Sequence, residues 1–119
     1  MGQAFKPIAL VVEDDQDQRD LLTVLLEESD LQVFGCESAE AALRILDKYG
    51  LGMSLLVTDV ELAGNMTGAD LARIAKRRHP NLSVIVTSGG AQPKLPADTM
   101  FMAKPLRALD ILKEAERLH

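Results

Sequence analysis

Apolar residues along the chain fall into short unbroken runs that alternate with longer stretches where they recur every three or four positions. The runs are too short for helices and rich in β-branched residues, which predicts strands at 8–12, 31–34, 55–59, 82–87 and 99–103. The periodic stretches predict helices. The first runs from residue 17 to about 29, with Leu21, Leu22, Val24, Leu25 and Leu26 on helical spacing and Asp15 as its N-cap. Gly35 closes the second strand, Ser38 caps a second helix carrying Ala42, Leu43, Ile45 and Leu46, and Gly50 stops it. A third helix spans about 68–79 and ends at Pro80, and a last one over 106–118 buries Ile111, Leu112, Ala115 and Leu118. Between 91 and 98 stand Pro93 and Pro96, which limit any helix there to one or two turns.

Strands alternating with helices in this way predict an α/β domain: a parallel sheet covered on both faces and joined by right-handed crossovers. All strand C-termini then share one edge. Glu13 and Asp14, Asp59, Ser88 and Lys104 follow or end four different strands, so the topology gathers them there. Taken alone, Asp59 reads more readily as an acid that opens a turn or caps a helix. The company it keeps changes that reading.

With 119 residues, 47% of them hydrophobic, the chain suits one domain over 1–119, structured from about 6 to 118. A net charge of -5 argues against nucleic acid as a partner, and the one basic run, Lys76-Arg77-Arg78-His79, sits where cations complement a helix C-terminus. The single cysteine, Cys36, has no neighbouring Cys or His pattern and reads as a small buried residue. Residues 1–7 do not resemble a signal peptide, and no apolar run approaches a membrane span, so the expected location is the cytoplasm.

Carboxylates crowded within a few Å repel by roughly 4 kcal/mol per pair at an effective dielectric near 20, and so call for a cation. Oxygen ligands without His or Cys favour a hard ion, Mg²⁺ above all. One accessible Asp beside such an ion, with a hydroxyl and an ammonium opposite, suits a phosphoryl group, the carboxylate attacking while cation and lysine offset the charge.

Glu13-Asp14 with Arg19 following, the strand-end Asp59, Thr87-Ser88-Gly89 and Lys104-Pro105 carry a resemblance over nearly the whole chain. The chain resembles the receiver domain of two-component response regulators, CheY-like and of the stand-alone type. The resemblance implies a doubly wound (βα)5, flavodoxin-like sheet of order 2-1-3-4-5, with a shortened fourth helix because 89–100 is several residues short of the common length. It implies that Asp59 is the phosphoacceptor, that Asp14, Asp59 and the backbone carbonyl of Glu61 bind Mg²⁺, and that Glu13 acts through water. Lys104 and Ser88 complete the catalytic set, while Ser88 and Phe101 form the switch. A cis Lys104-Pro105 bond is also implied. The implied partners are a histidine kinase or histidine phosphotransfer protein and a downstream protein target, with the receiver a monomer or weak dimer that catalyses only its own phosphotransfer and dephosphorylation.

Two departures bear on the site. The loop after Asp59 has Ala63 where the family commonly has proline and is one residue longer than usual, which predicts a more mobile metal-side loop. Glu61 adds an acid beside the acceptor, placed to orient or repel a hydrolytic water. The rival readings are a receiver-like interaction module that is never phosphorylated and, further off, a haloacid-dehalogenase-type phosphatase. The second wants an Asp two residues past the nucleophile, where this chain has Glu61.

Overall fold

Runs that are apolar at every position need burial on both faces, and the sheet provides it. The structure is a computed structural model describing residues 6–119; most of the stretch read above for a leader lies outside the described residues. Strands β1 (Ile8–Val12), β2 (Gln32–Cys36), β3 (Met53–Asp59), β4 (Ser83–Ser88) and β5 (Thr99–Ala103) form one sheet in the order β2-β1-β3-β4-β5. Every pair is parallel. Successive side chains point to opposite faces, so one set of strand residues, Leu10, Val12, Leu56, Val84 and Val86, packs with α2 (Ala39–Tyr49) and α3 (Gly68–Arg78). The alternate set, Ala9, Val11, Leu55, Val57 and Ile85, packs with α1 (Gln16–Glu28) and α4 (Ala108–Glu116). This is the expected doubly wound α/β fold. Among the described residues, no helix is long and apolar enough to cross a membrane.

Local chemistry starts the helices where the residues suggested. Asp15 Oδ1 accepts the Gln18 N–H at 2.9 Å, Ser38 Oγ accepts the Ala41 N–H at 3.1 Å, and Thr67 and Asp70 form a reciprocal capping box ahead of α3. The second strand differs from expectation: it does not close at Gly35 but continues to Cys36, with Gly35 paired to Val11. A Cβ there would touch only the Arg19 stem, at 3.4 Å, so glycine does not force a stop. The third strand begins two residues early, at Met53, after a 3₁₀ turn over Gly50–Gly52.

The shortened fourth helix is a correction: residues 89–98 form no helix at all. They must travel from the C-terminal edge of β4 back to the start of β5, about 17 Å for a five-residue strand. Ten helical residues rise only about 15 Å and leave nothing for the turns at either end, and Pro93 and Pro96 bring no N–H to a helix. The segment crosses without regular structure instead, with Leu95 packed against the α2 and α3 side of the core and the Lys94 carbonyl accepting from Arg73 at 3.4 Å.

Candidate functional site

The C-terminal edge of the sheet gathers the acids as the topology requires. Glu13 and Asp59 are almost fully buried, at 2% and 6% exposure, while Asp14 is exposed. One carboxylate oxygen from each of the three lies within 4.8 Å of the others, a group able to hold a metal ion. Lys104, from the end of β5, reaches back to both buried acids: its Nζ lies 2.8 Å from Glu13 Oε1 and 3.0 Å from Asp59 Oδ2. The Lys104-Pro105 bond is cis, as the resemblance implied.

Burial pushes the Glu13 carboxyl above its usual range, and the Asp59 charge adds to this, against the hydrogen bond from Lys104. Burial acts to lower the Lys104 ammonium, but the bonds to Glu13 and Asp59 outweigh it and leave its pKa raised. One ammonium still does not saturate two carboxylates. Glu13 Oε2 and Asp59 Oδ1 are buried with no hydrogen-bond partner. Such orphaned acceptors cost on the order of 1–3 kcal/mol each, so the donor set fits a hard cation with its bound water, which together would satisfy both.

The backbone around Asp59 is held by close packing. Its carbonyl accepts from Thr58 Oγ1 at 3.0 Å, Val60 N–H donates to the Thr87 carbonyl at 2.9 Å, and Gly68 N–H donates to the Val60 carbonyl at 2.9 Å. A Cβ on Gly68 would lie 1.8 Å from the Asp59 carbonyl oxygen. Only glycine lets α3 begin so close to the end of β3. On the opposite flank Arg19 donates to the Glu13 carbonyl at 2.7 Å and lays its stem over Gly35, fixing the turn after β1.

Ser88 ends β4, buried at 1% exposure, and its hydroxyl donates to the Glu61 carboxylate at 3.2 Å while accepting the Gly90 N–H at 3.0 Å. The sequence pointed to Glu61 as an extra acid but not to this contact, because the pair is 27 residues apart and meets only when β4 lies beside β3. Phe101, on β5 opposite Val86, is partly buried against the α2 and α3 side of the core. A further contact left no sequence signal. Glu40, at the start of α2, accepts the Asn65 N–H at 3.2 Å, Ala63 bridges to Ser38, and Gly64 sits at φ +95° against the Glu40 carboxylate. The loop expected to be mobile for want of a proline is thus tied down at two points.

Similarity to known proteins covers the same ground. The family model for the response regulator receiver domain matches residues 9–114. The response regulator protein FleR of Pseudomonas aeruginosa is 29% identical over 109 residues, 87% of this chain but 22% of FleR, so the chain spans about a fifth of that relative's length. Among solved structures, a CheY-like receiver domain protein from Methanospirillum hungatei superposes with a TM-score of 0.85 at 24% identity, covering 96% of this chain and 94% of that one. A response regulator receiver protein from Sinorhizobium medicae gives 0.86 at 21%, covering 95% and 94%. At such identities the two structures speak for the fold.

Proposed function

The chain belongs to the response regulator receiver domain family of two-component signalling, and on that premise we propose that it takes a phosphoryl group onto Asp59 from a phosphohistidine of a histidine kinase or phosphotransfer protein. The observation that carries the proposal is the Lys104 bridge between Glu13 and Asp59, with one oxygen of each acid left buried and unpartnered. Receiver domains as a class are not enzymes in the ordinary sense, and the unit proposed is a single receiver over residues 1–119.

An Asp59 oxygen attacks phosphorus, and the new P–O bond forms as the P–N bond to the donor imidazole breaks. The electron pair stays on the departing nitrogen, which takes up a proton. Lys104 stands beside Asp59 Oδ2 to offset charge on the transferring oxygens, and the Ser88 hydroxyl is the donor to one of them once transfer is complete. Asp14, Asp59 and the Glu61 carbonyl would hold Mg²⁺, with Glu13 acting through water. When bound, that ion supplies electrophilic stabilisation of the phosphoryl oxygens. Ser88 and Phe101 are the proposed switch, adjacent through the pairing of β4 with β5.

An apolar hollow of about 530 Å³ beside Lys104, lined by Leu21, Leu22, Leu25, Pro105 and Leu106, supports docking of the donor next to the acceptor. Leu21 stands more than half exposed there.

The test is intact-mass spectrometry after incubation with acetyl phosphate, with and without Mg²⁺, alongside Asp59→Asn. A Mg²⁺-dependent, acid-stable and base-labile adduct that the variant lacks is the expected result. No adduct from acetyl phosphate or from a phosphohistidine donor would favour the never-phosphorylated interaction module.

A further inference from the structure

Ser88 has one hydroxyl proton, and the fold commits it to Glu61. Its oxygen accepts the Gly90 N–H at 3.0 Å, and its proton goes to Glu61, with Oε1 at 3.2 Å and Oε2 at 3.5 Å. The Ser88 backbone cannot move freely, because its carbonyl accepts the Lys104 N–H at 2.8 Å and its strand pairs with β5. Only the side-chain torsion is left to change. Glu61 is exposed, and among the described residues it has no cation partner; Ser88 supplies its side-chain hydrogen bonds there.

We propose that Glu61 is a positioning residue that latches the Ser88 hydroxyl away from Asp59 until a phosphoryl group arrives to claim it. This rests on the reading of Asp59 as phosphoacceptor. A phosphoryl group brings close to two negative charges and three strong acceptor oxygens. It repels the Glu61 carboxylate and offers Ser88 a better acceptor, so both effects release the same bond. Glu61 thus opposes the phosphorylated arrangement specifically through Ser88, which separates it from an acid that merely adds negative charge nearby. The hydroxyl leaves Glu61 as it engages the phosphoryl oxygens, and the Gly90 N–H, bonded to the same oxygen, registers the change.

The experiment uses beryllofluoride with Mg²⁺ as a non-transferable phosphoryl probe on five proteins: the natural chain, Glu61→Ala, Ser88→Ala, the double variant and, as the reference without an acceptor, Asp59→Asn. Glu61→Ala is expected to raise probe affinity about five- to tenfold when Ser88 is present, the scale of a charge-assisted hydrogen bond discounted for exposure, and less than about twofold in the Ser88→Ala background. In the ligand-free protein, Glu61→Ala is expected to move the Gly90 amide resonance in the direction that the probe moves it in the natural chain. An equal affinity gain in both backgrounds, or no gain, overturns the latch and leaves the phosphoacceptor reading intact. A Gly90 resonance unmoved by Glu61→Ala overturns it likewise. If the natural chain binds the probe no better than Asp59→Asn does, the phosphoacceptor reading fails and the latch falls with it.

Discussion

Replacing Lys104 by methionine keeps most of the side-chain volume and removes the one cation that, among the described residues, bonds both Glu13 and Asp59. The two acids stay where the ends of β1 and β3 put them, side-chain exposure 3% and 7%, now without a counter-charge. Removing one partner of a buried ion pair costs about 3–5 kcal/mol; the lysine is itself one-fifth exposed, so water can partly replace it and about 2–3 kcal/mol is expected. The cost has a pH signature. The Glu13 carboxyl already titrates above its usual range through burial, so in the natural chain this group favours folding most in acid, and its contribution is lost as pH rises from the unfolded value toward the raised folded one. Without Lys104 the folded value rises further. The penalty of Lys104→Met is therefore full at pH 8 and shrinks toward pH 5 as Glu13 takes up a proton. Urea unfolding of both proteins at pH 5, 6.5 and 8 measures this, and Mg²⁺ at about a hundred times its dissociation constant would restore up to about 2.7 kcal/mol to any fold that binds it. A loss below about 0.5 kcal/mol at pH 8, or one equal at pH 5 and pH 8, would refute the claim that uncompensated buried charge is what Lys104 relieves.

Other substitutions probe the frame that holds the site. Gly68→Ala puts a methyl group 1.8 Å from the Asp59 carbonyl oxygen, so β3 and α3 must separate by more than an ångström; a loss of about 3 kcal/mol or more in denaturant unfolding is expected, with shifted Asp59 and Val60 amide resonances. Glu40→Ala frees the Asn65 N–H at the protein surface and removes the acid packed against Gly64. Stability should fall by no more than about 1 kcal/mol, while amide exchange over residues 63–66 speeds up more than elsewhere, and uniform exchange would argue against a tether. Burial pushes the Cys36 thiol from 9.0 up to about 11, so the native protein should react with a thiolate-selective disulfide reagent at pH 8 about a hundredfold more slowly than the urea-unfolded chain. Equal rates would show that the thiol is not desolvated.

What the chain determines by itself is the set of local decisions that need no distant partner. Runs such as 8–12 and 99–103 appear as strands with the bounds their apolar character suggested, and Asp15 and Ser38 cap helices because a side-chain oxygen needs only the N–H three residues on. The alternation of strand and helix then forces a parallel sheet, and a parallel sheet forces Glu13, Asp14, Asp59, Ser88 and Lys104 to one edge. Strand ends were less legible. Gly35 suggests a stop, yet its pairing with Val11 carries the strand through it to Cys36, because the ladder to β1 outweighs one residue's weak preference. The empty place of the fourth helix is a shared decision: Pro93 and Pro96 limit a helix locally, and the distance between the end of β4 and the start of β5 removes what they would still allow. The contacts that tune the site belong to the same class. Ser88 with Glu61, Glu40 with Asn65 and Gly68 against the Asp59 carbonyl join residues 27, 25 and 9 positions apart. Periodicity records which face of an element is buried and not which atom lies across from it, so these pairs exist only once the sheet has set its register and the helices have docked.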